Sequence, residues 1–300
     1  MTHARMFAVA ALTALLATSA RAQNEDWSKV DAALGKTGAL QADGVHKYGF
    51  PRSDLSVTLD GVKIKPALAL GGWLAFTPRL QDTMVMGDLV LTESEVNPVM
   101  AKLLTSGIDV TAVHNHLLRA NPETFYMHVE GHGDAVKLAT AIRAALGESK
   151  TPFSAPTTGA APAQQAVDLD TGKLDSIMGV KGKANGGVYA FSVRRSDPIT
   201  AGGMTIPTSM GVAHGINFQP TGGGKAAITG DFIVLGSEVN PLIRTLRGNG
   251  IEVTAIHTHM LNEQPHMFFV HFWANDDAVK LAQGVRAALD KTASAKAETK

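Results

Sequence analysis

Six of the chain's eleven histidines fall into a pattern that occurs twice. His114 and His116 form a His-x-His pair, with His128 twelve residues beyond the second ring. His257, His259 and His271 repeat that spacing. Residues two apart on a strand share a face, so each pair presents two imidazoles side by side. A hairpin folding about Glu263-Gln264 would set His271 opposite His257, with Cβ atoms ~5 Å apart. Three rings then converge, a set able to bind a divalent transition metal such as zinc or copper, with a fourth position for water or substrate. Glu263 and Glu238 are the candidate general bases for a water on that ion. His266 and Asn240 are candidate ligand contacts, and His214 lies on an earlier strand of the same copy. The first copy has Ala120, Glu123 and Gly71 in place of Glu263, His266 and His214, and its own extra histidine is His132. His257, His259 and His271 are therefore the stronger metal candidates, and His114, His116 and His128 the weaker.

A plainer alternative stands beside this one. Histidines in an apolar strand can be neutral core rings bonded to backbone or to Asn240. Glu95, Glu238, Asn97 and Asn240 lie where helix starts use carboxylates and amides as caps. Met84, Met86, Met260 and Met267 are core fillers before they are copper ligands.

The elements that position these residues are duplicated as well. GDLVLTESEVNPVMAKLLTSGIDVTAVHNHLL, from Gly87, returns as GDFIVLGSEVNPLIRTLRGNGIEVTAIHTHML, from Gly230. About half the positions are identical, far above chance. The offset is constant, since 257 − 114 and 271 − 128 both give 143. In each copy strands lead into a helix; Ser237 is the expected cap and Pro241 sits in its first turn. Gly248-Asn249-Gly250 ends that helix. Two β-rich runs follow around Asn262-Glu263-Gln264-Pro265, and a last helix opens at Asp276-Asp277. The fold class is α+β: two tandem repeats, each an antiparallel sheet with two helices packed on one face. Residues 27–147 form the first repeat and 173–290 the second. The Ala/Pro/Thr-rich stretch 148–172 reads as a linker with few contacts, and 291–300 as a disordered polar tail.

Composition narrows the function classes. Twenty-seven basic residues balance twenty-seven acidic ones, so the basic footprint of a nucleic-acid binder is missing. There is no cysteine, which excludes disulfides, thiolate metal sites and a lipid-modified cysteine. Residues 1–22 read as a secretory signal, with a basic start, the apolar run 6–16 and Ala20-Arg21-Ala22 before Gln23. The expectation is a periplasmic or secreted protein with no membrane anchor. Gly222-Gly223-Gly224-Lys225 lacks the pattern of a phosphate loop and reads as a hairpin turn, and neither a Gly-x-Ser-x-Gly elbow nor a His-Glu-x-x-His helix occurs. His257-x-His259-x3-Glu263 matches a first cupin motif, but no second one follows at cupin spacing.

SEVNP, then TA[IV]H-x-H, then a proline and a later histidine, resembles the domain repeated in the LppY/LpqO-type bacterial family. The resemblance covers most of both copies. That family carries no assigned reaction, and its lipoprotein character implies an anchor this cysteine-free chain cannot carry. Three readings follow: a secreted protein binding a metal ion or small polar ligand at the hairpin histidines, a metal-dependent hydrolase, or a structural or envelope interaction module without ligand. In each, the copies pack together as a pseudo-dimer. Protein recovered from its native compartment should begin at or near Gln23 by amino-terminal sequencing; an intact Met1 in soluble cytoplasm would overturn the signal reading.

Overall fold

The structure, a computed structural model, describes residues 25–153 and 166–294. The signal reading at 1–22, residues 154–165 of the linker and the last six residues of the tail lie outside the described residues. The first repeat runs α1 (Trp27–Leu34), β1 (Ala39–Leu40), β2 (His46–Pro51), β3 (Gly71–Pro78), β4 (Thr83–Leu91), α2 (Glu93–Thr105), β5 (Asp109–His114), β6 (Phe125–Gly133) and α3 (Ala135–Leu146). The second runs α4 (Thr171–Met178), β7 (Lys183–Asn185), β8 (Val188–Arg194), β9 (Ala213–Gly222), β10 (Lys225–Leu235), α5 (Gly236–Gly248), β11 (Glu252–His257), β12 (Met267–Asp277) and α6 (Ala278–Leu289). Each repeat forms a six-stranded antiparallel sheet, in the orders β1-β2-β3-β4-β6-β5 and β11-β12-β10-β9-β8-β7. The repeat's last strand slides between the two that precede it. In this way the histidines of β5 and β6, and of β11 and β12, come from neighbouring strands.

Alternation along the strands divides each sheet into two buried faces. In β12, Val270, Phe272 and Ala274 pack with Leu242 and Leu246 of α5 and with Leu281, Val285 and Leu289 of α6. The intervening Phe269 and Trp273 face the other repeat, Phe269 beside Met84 and Met86, and Trp273 beside Val57, Leu68 and Tyr126. The molecule is therefore layered helix, sheet, sheet, helix, and every strand buried on both sides reads as a near-continuous apolar run. Burying one such aromatic contributes about 1.5 to 3 kcal/mol. Polar contacts fix the two sheets in register: Lys65 N donates to Gln219 Oε1 at 2.9 Å, Gln219 Nε2 to Lys63 O at 2.8 Å, and Trp273 Nε1 to Asp60 Oδ2 at 3.0 Å. The four methionines are core residues of this layer.

Several local expectations change. The helix after β10 begins at Gly236 rather than beyond Ser237, and Pro241 sits inside it. Glu238 reaches back to accept from Leu235 N at 2.8 Å, as Glu95 does from Thr92 N at 2.9 Å. The Gly222–Gly224 turn is the β9–β10 hairpin, with positive φ at all three glycines. The repeat unit also outlasts α3 and α6. Lys150 N donates to Glu95 Oε1 and Ala293 N to Glu238 Oε1, both at 2.8 Å, and Arg143 lies 3.3 Å over the Phe153 ring. Residues 148–153 and 291–294 thus make contacts with the repeat that precedes them, a buried carboxylate accepting from one amide of each.

The same carboxylates hold the helices to the sheets. Arg52 Nη1 donates to Glu95 Oε2 at 2.7 Å and to Val90 O at 2.8 Å, and Arg195 Nη1 donates to Glu238 Oε2 and to Ile233 O, both at 2.8 Å. Both arginine side chains are almost entirely buried. Removing one partner strands a buried charge, so Glu238→Ala should destabilise by about 3 kcal/mol in urea unfolding. A change under about 0.5 kcal/mol would show that the pair is idle.

Candidate metal centre between the repeats

The two histidine sets form one cluster. His114 and His257 stack across the repeat interface with ring centroids 3.5 Å apart and planes 18° from parallel. The remaining distances come in pairs: His116 to His271 is 3.5 Å and His259 to His128 is 3.7 Å; His114 to His271 and His257 to His128 are both 5.1 Å. Within the repeats, His114 to His128 is 5.1 Å and His257 to His271 is 4.7 Å. Exchanging the repeats leaves the arrangement nearly unchanged, so a pseudo-twofold axis passes between His114 and His257. Aromatic rings close both ends, Tyr126 at 3.5 Å from His116 and Phe269 at 3.3 Å from His259.

The hairpin brings the rings together through a different register from the expected one. His257 pairs with Phe269 and Ala255 with His271, with a bulge between Val253 and Ala255. A shift of two residues preserves the face, and the two rings still meet diagonally. His257 ends β11, and His259 lies just beyond it. Its backbone is held by Thr111 Oγ1, which donates to His259 O at 2.7 Å from the other repeat. The cluster draws three rings from each copy.

Other candidates fall outside it. His214 is a buried structural ring whose Nδ1 accepts from Ile233 N at 3.0 Å. His132 is partnered with Arg79 and Glu130 at the surface. His266 is largely exposed, its Nδ1 3.0 Å from Glu263 Oε1. Glu263 itself is 1 % exposed and accepts from Met267 N at 2.8 Å, holding the loop, while its Oε2 has no partner among the described residues. Asn240 is exposed on α5, on the side of the sheet away from the histidines. Glu238 is committed to Arg195 and to two backbone amides, which removes it as a free base.

Two aspartates that the sequence reading passed over belong to the site. Asp88 lies directly across from His128 and Asp231 from His271, 143 residues apart in the same Gly-Asp dipeptide. A single acid at the same place in two otherwise apolar strands was the available signal. Asp231 Oδ1 lies 2.7 Å from His271 Nδ1, whose hydrogen bond goes to Gly230 O at 2.9 Å. The glycine is required there, since a Cβ on Gly230 would sit 1.9 Å from Gly215 O.

Burial, with smaller contributions from neighbouring imidazoles, holds His116, His128 and His259 well below the usual histidine range. It takes His257 down to about 4 and His114 to about 2. Burial also raises Asp88, helped by the charge of Asp231; burial acts to raise Asp231 too, but His271 outweighs it and the carboxyl is lowered. These five rings are thus neutral near pH 7, each with one N–H and one lone pair. Four of their nitrogens, His114 Nδ1, His116 Nε2 and both of His259, are buried without a hydrogen-bond partner among the described residues. At roughly 1 to 3 kcal/mol each, the total rivals the ~5 to 15 kcal/mol by which a protein is stable. His257 adds a second conflict. Its Nδ1 faces Thr258 O at 3.1 Å and His271 Nδ1 faces Gly230 O, so both N–H groups are used. With the N–H of each ring on Nδ1, the two Nε2 lone pairs point at each other across 2.7 Å. A cation lifts that repulsion, and the cluster could hold a metal ion: the ligand atoms of His114, His116, His257 and His271 lie within 4.8 Å of one another, as do those of His128, His257 and His259.

The lowered histidine values set a sign for pH. The unfolded chain takes up protons near pH 6.5 that the folded rings refuse until about pH 4 or lower, so the stability from these neutral rings is complete above about 6.5 and falls below it. Lowered Asp231 acts in the same direction at more acid pH, and raised Asp88 opposes it. The melting temperature of chelator-treated protein should drop by about 5 °C or more between pH 7.5 and 5. A flat profile would show that the rings titrate alike in both states.

Among known proteins, the family described as Domain of Unknown Function (DUF1259) matches residues 28–148 and again 172–291. No curated protein matches the chain. Among solved structures, the trimeric bacterial microcompartment shell protein PduB aligns over 85% of this chain and 90% of its own, at 12% identity and a TM-score of 0.21, too low to inform fold or assembly. The two family matches take in both histidine sets and both aspartates, and the chain belongs to this DUF1259 family as a tandem duplication.

Proposed function

We propose that the protein binds a divalent transition metal ion, zinc or copper, at the histidine cluster between its repeats. The observation that carries the reading is the set of buried imidazole nitrogens left without hydrogen-bond partners, His259 above all, in a place where neutral rings can donate lone pairs. Imidazole nitrogen suits both metals, and the neighbouring carboxylates can orient rings through their far nitrogens, as Asp231 does for His271. The resident ion would supply positive charge to the conflicting lone pairs and a Lewis acid to any small polar ligand reaching it. Placement with the LppY/LpqO-type proteins rests on the SEVNP and TA[IV]H-x-H motifs, and export on the signal reading of 1–22; together they support a periplasmic or secreted metal binder. No helix among the described residues is long and apolar enough to cross a membrane.

A metal-dependent hydrolase is the second reading, favoured by one feature: Asp88 keeps a buried Oδ1 without a partner beside the cluster. It predicts chelator-sensitive turnover of an ester, amide or phosphate panel, lost in Asp88→Asn.

For the binding reading, tag-free protein at pH 7.5 should retain zinc or copper through dialysis, and His259→Ala should weaken affinity at least tenfold, about 1.4 kcal/mol. His116→Ala should do the same, because the two positions are equivalent. Calorimetry showing no histidine-dependent uptake, with both substitutions changing only the melting temperature, would return the cluster to a packing role.

A further inference from the structure

We infer that the ion of this centre is copper in its monovalent state, held tip to tip between His257 Nε2 and His271 Nε2; this rests on the metal-binding reading above and fixes the metal as copper and its charge as one. The six rings lie in two rows. His116, His114 and His128 form one, and His271, His257 and His259 the other, with neighbouring centroids 4.7 to 5.1 Å apart. Rings of facing rows stack, His116 on His271 and His114 on His257 at 3.5 Å, and His128 on His259 at 3.7 Å. Imidazole lone pairs lie in the ring plane, so stacked rings cannot aim theirs at one ion. Only rings that meet tip to tip within a row can.

Two pairs do so. His114 Nε2 and His128 Nε2 are 3.0 Å apart in planes 5° from parallel, and His257 Nε2 and His271 Nε2 are 2.7 Å apart in planes 13° from parallel. In the first pair His114 Nδ1 has no partner among the described residues, so that ring can carry its N–H on Nε2 and donate to His128. An ordinary hydrogen bond satisfies it. In the second pair both Nδ1 atoms face acceptors, Thr258 O at 3.1 Å and Gly230 O at 2.9 Å, and Asp231 Oδ1 lies 2.7 Å from His271 Nδ1. A carboxylate behind the far nitrogen is how ligating histidines are oriented. Two lone pairs therefore meet, and a cation belongs between them. The stacked rings of the first row present their faces to it, not their lone pairs, so the ion finds two nitrogens in a line. Zinc takes four ligands in a tetrahedron and Cu(II) a tetragonal set, whereas closed-shell Cu(I) is stable with two. Asp231 is the carboxylate in contact with this pair, Asp88 lying 4.0 Å from His128 instead, so one positive charge leaves the pair and its acid neutral. Two bonds of about 2 Å require the tips to part from 2.7 Å to about 4 Å. His257 ends β11 and is partly exposed, which lets it slide along the face of His114.

The test is oxidation state combined with coordination number. Tag-free, chelator-treated protein loaded anaerobically with Cu(I) at pH 7.5 should take up one equivalent in competition with bicinchoninate. Its X-ray absorption spectrum should show two nitrogen neighbours and the sharp edge feature of linear Cu(I), and a tenfold excess of Zn(II) should not displace the ion. Asp231→Asn, which removes a group that only orients a ligand, should weaken Cu(I) by about 10- to 100-fold, and His257→Ala or His271→Ala by more than that. Should either alanine variant fail to fold, His257→Gln and His271→Gln replace it, and the wild-type spectrum decides independently. Copper with three or four ligands, two equivalents per chain, or displacement by zinc would overturn the Cu(I) pair while leaving metal binding intact; no uptake of copper in either state or of zinc would overturn both.

Discussion

Everything in this molecule depends on burying the inner faces of two sheets against each other. Those faces are apolar enough to exclude water, with Met84, Met86, Ile233, Met267 and Phe269 on one side of the histidines and Val90, Tyr126 and Trp273 on the other. Six imidazoles and two carboxylates lie between them, His116, His128, His259, His271 and Asp88 buried and His114, His257 and Asp231 partly so. In water each ring would be solvated and charge itself near pH 6.5. Between the sheets it finds its partners among groups already fixed by the strands, and the histidines stack on each other and on Tyr126 and Phe269.

The outer layers serve that burial. Helices α2, α3, α5 and α6 cover the far faces of the sheets, and the Arg52–Glu95 and Arg195–Glu238 pairs tie each helix start to the strand that carries the aspartate. Val90 O and Ile233 O, which accept from these arginines, are each two residues from Asp88 and Asp231. Support and site thus share the same strands, β4 and β10. A carboxylate that looked available for chemistry is instead what holds the chemistry's scaffold.

Much of this was legible in the sequence. The constant 143-residue offset exposes the duplication, alternation gives antiparallel sheets, and the His-x-His spacing marks the residues that meet. Three things were not legible. The loop between His257 and Met267 sets the register that places Ala255, not His257, opposite His271, and nothing in the local sequence announces it. Asp88 and Asp231 sit inside apolar strands whose inner face becomes a site only when another sheet covers it. Sharing between repeats is a property of the packed pair, so reading each copy alone assigned two separate sites and ranked them. His214, His266 and Glu263 drew attention by sequence proximity, although the structure uses them to hold backbone or leaves them at the surface.

Fusion of the two halves into one chain has a consequence for how such a centre can change. In an assembly of two identical subunits every substitution appears on both sides of the axis at once, and a harmful one is doubled. Here each side has its own codons. The rings capping the cluster already differ, Tyr126 on one end and Phe269 on the other, and only the tyrosine carries a hydroxyl, spent on Ala69 O at 2.7 Å. Glu263 fills a loop position where the first half has Ala120. The two ends of a shared centre are free to acquire separate tasks, one end at a time, while the halves keep the common frame that assembles them.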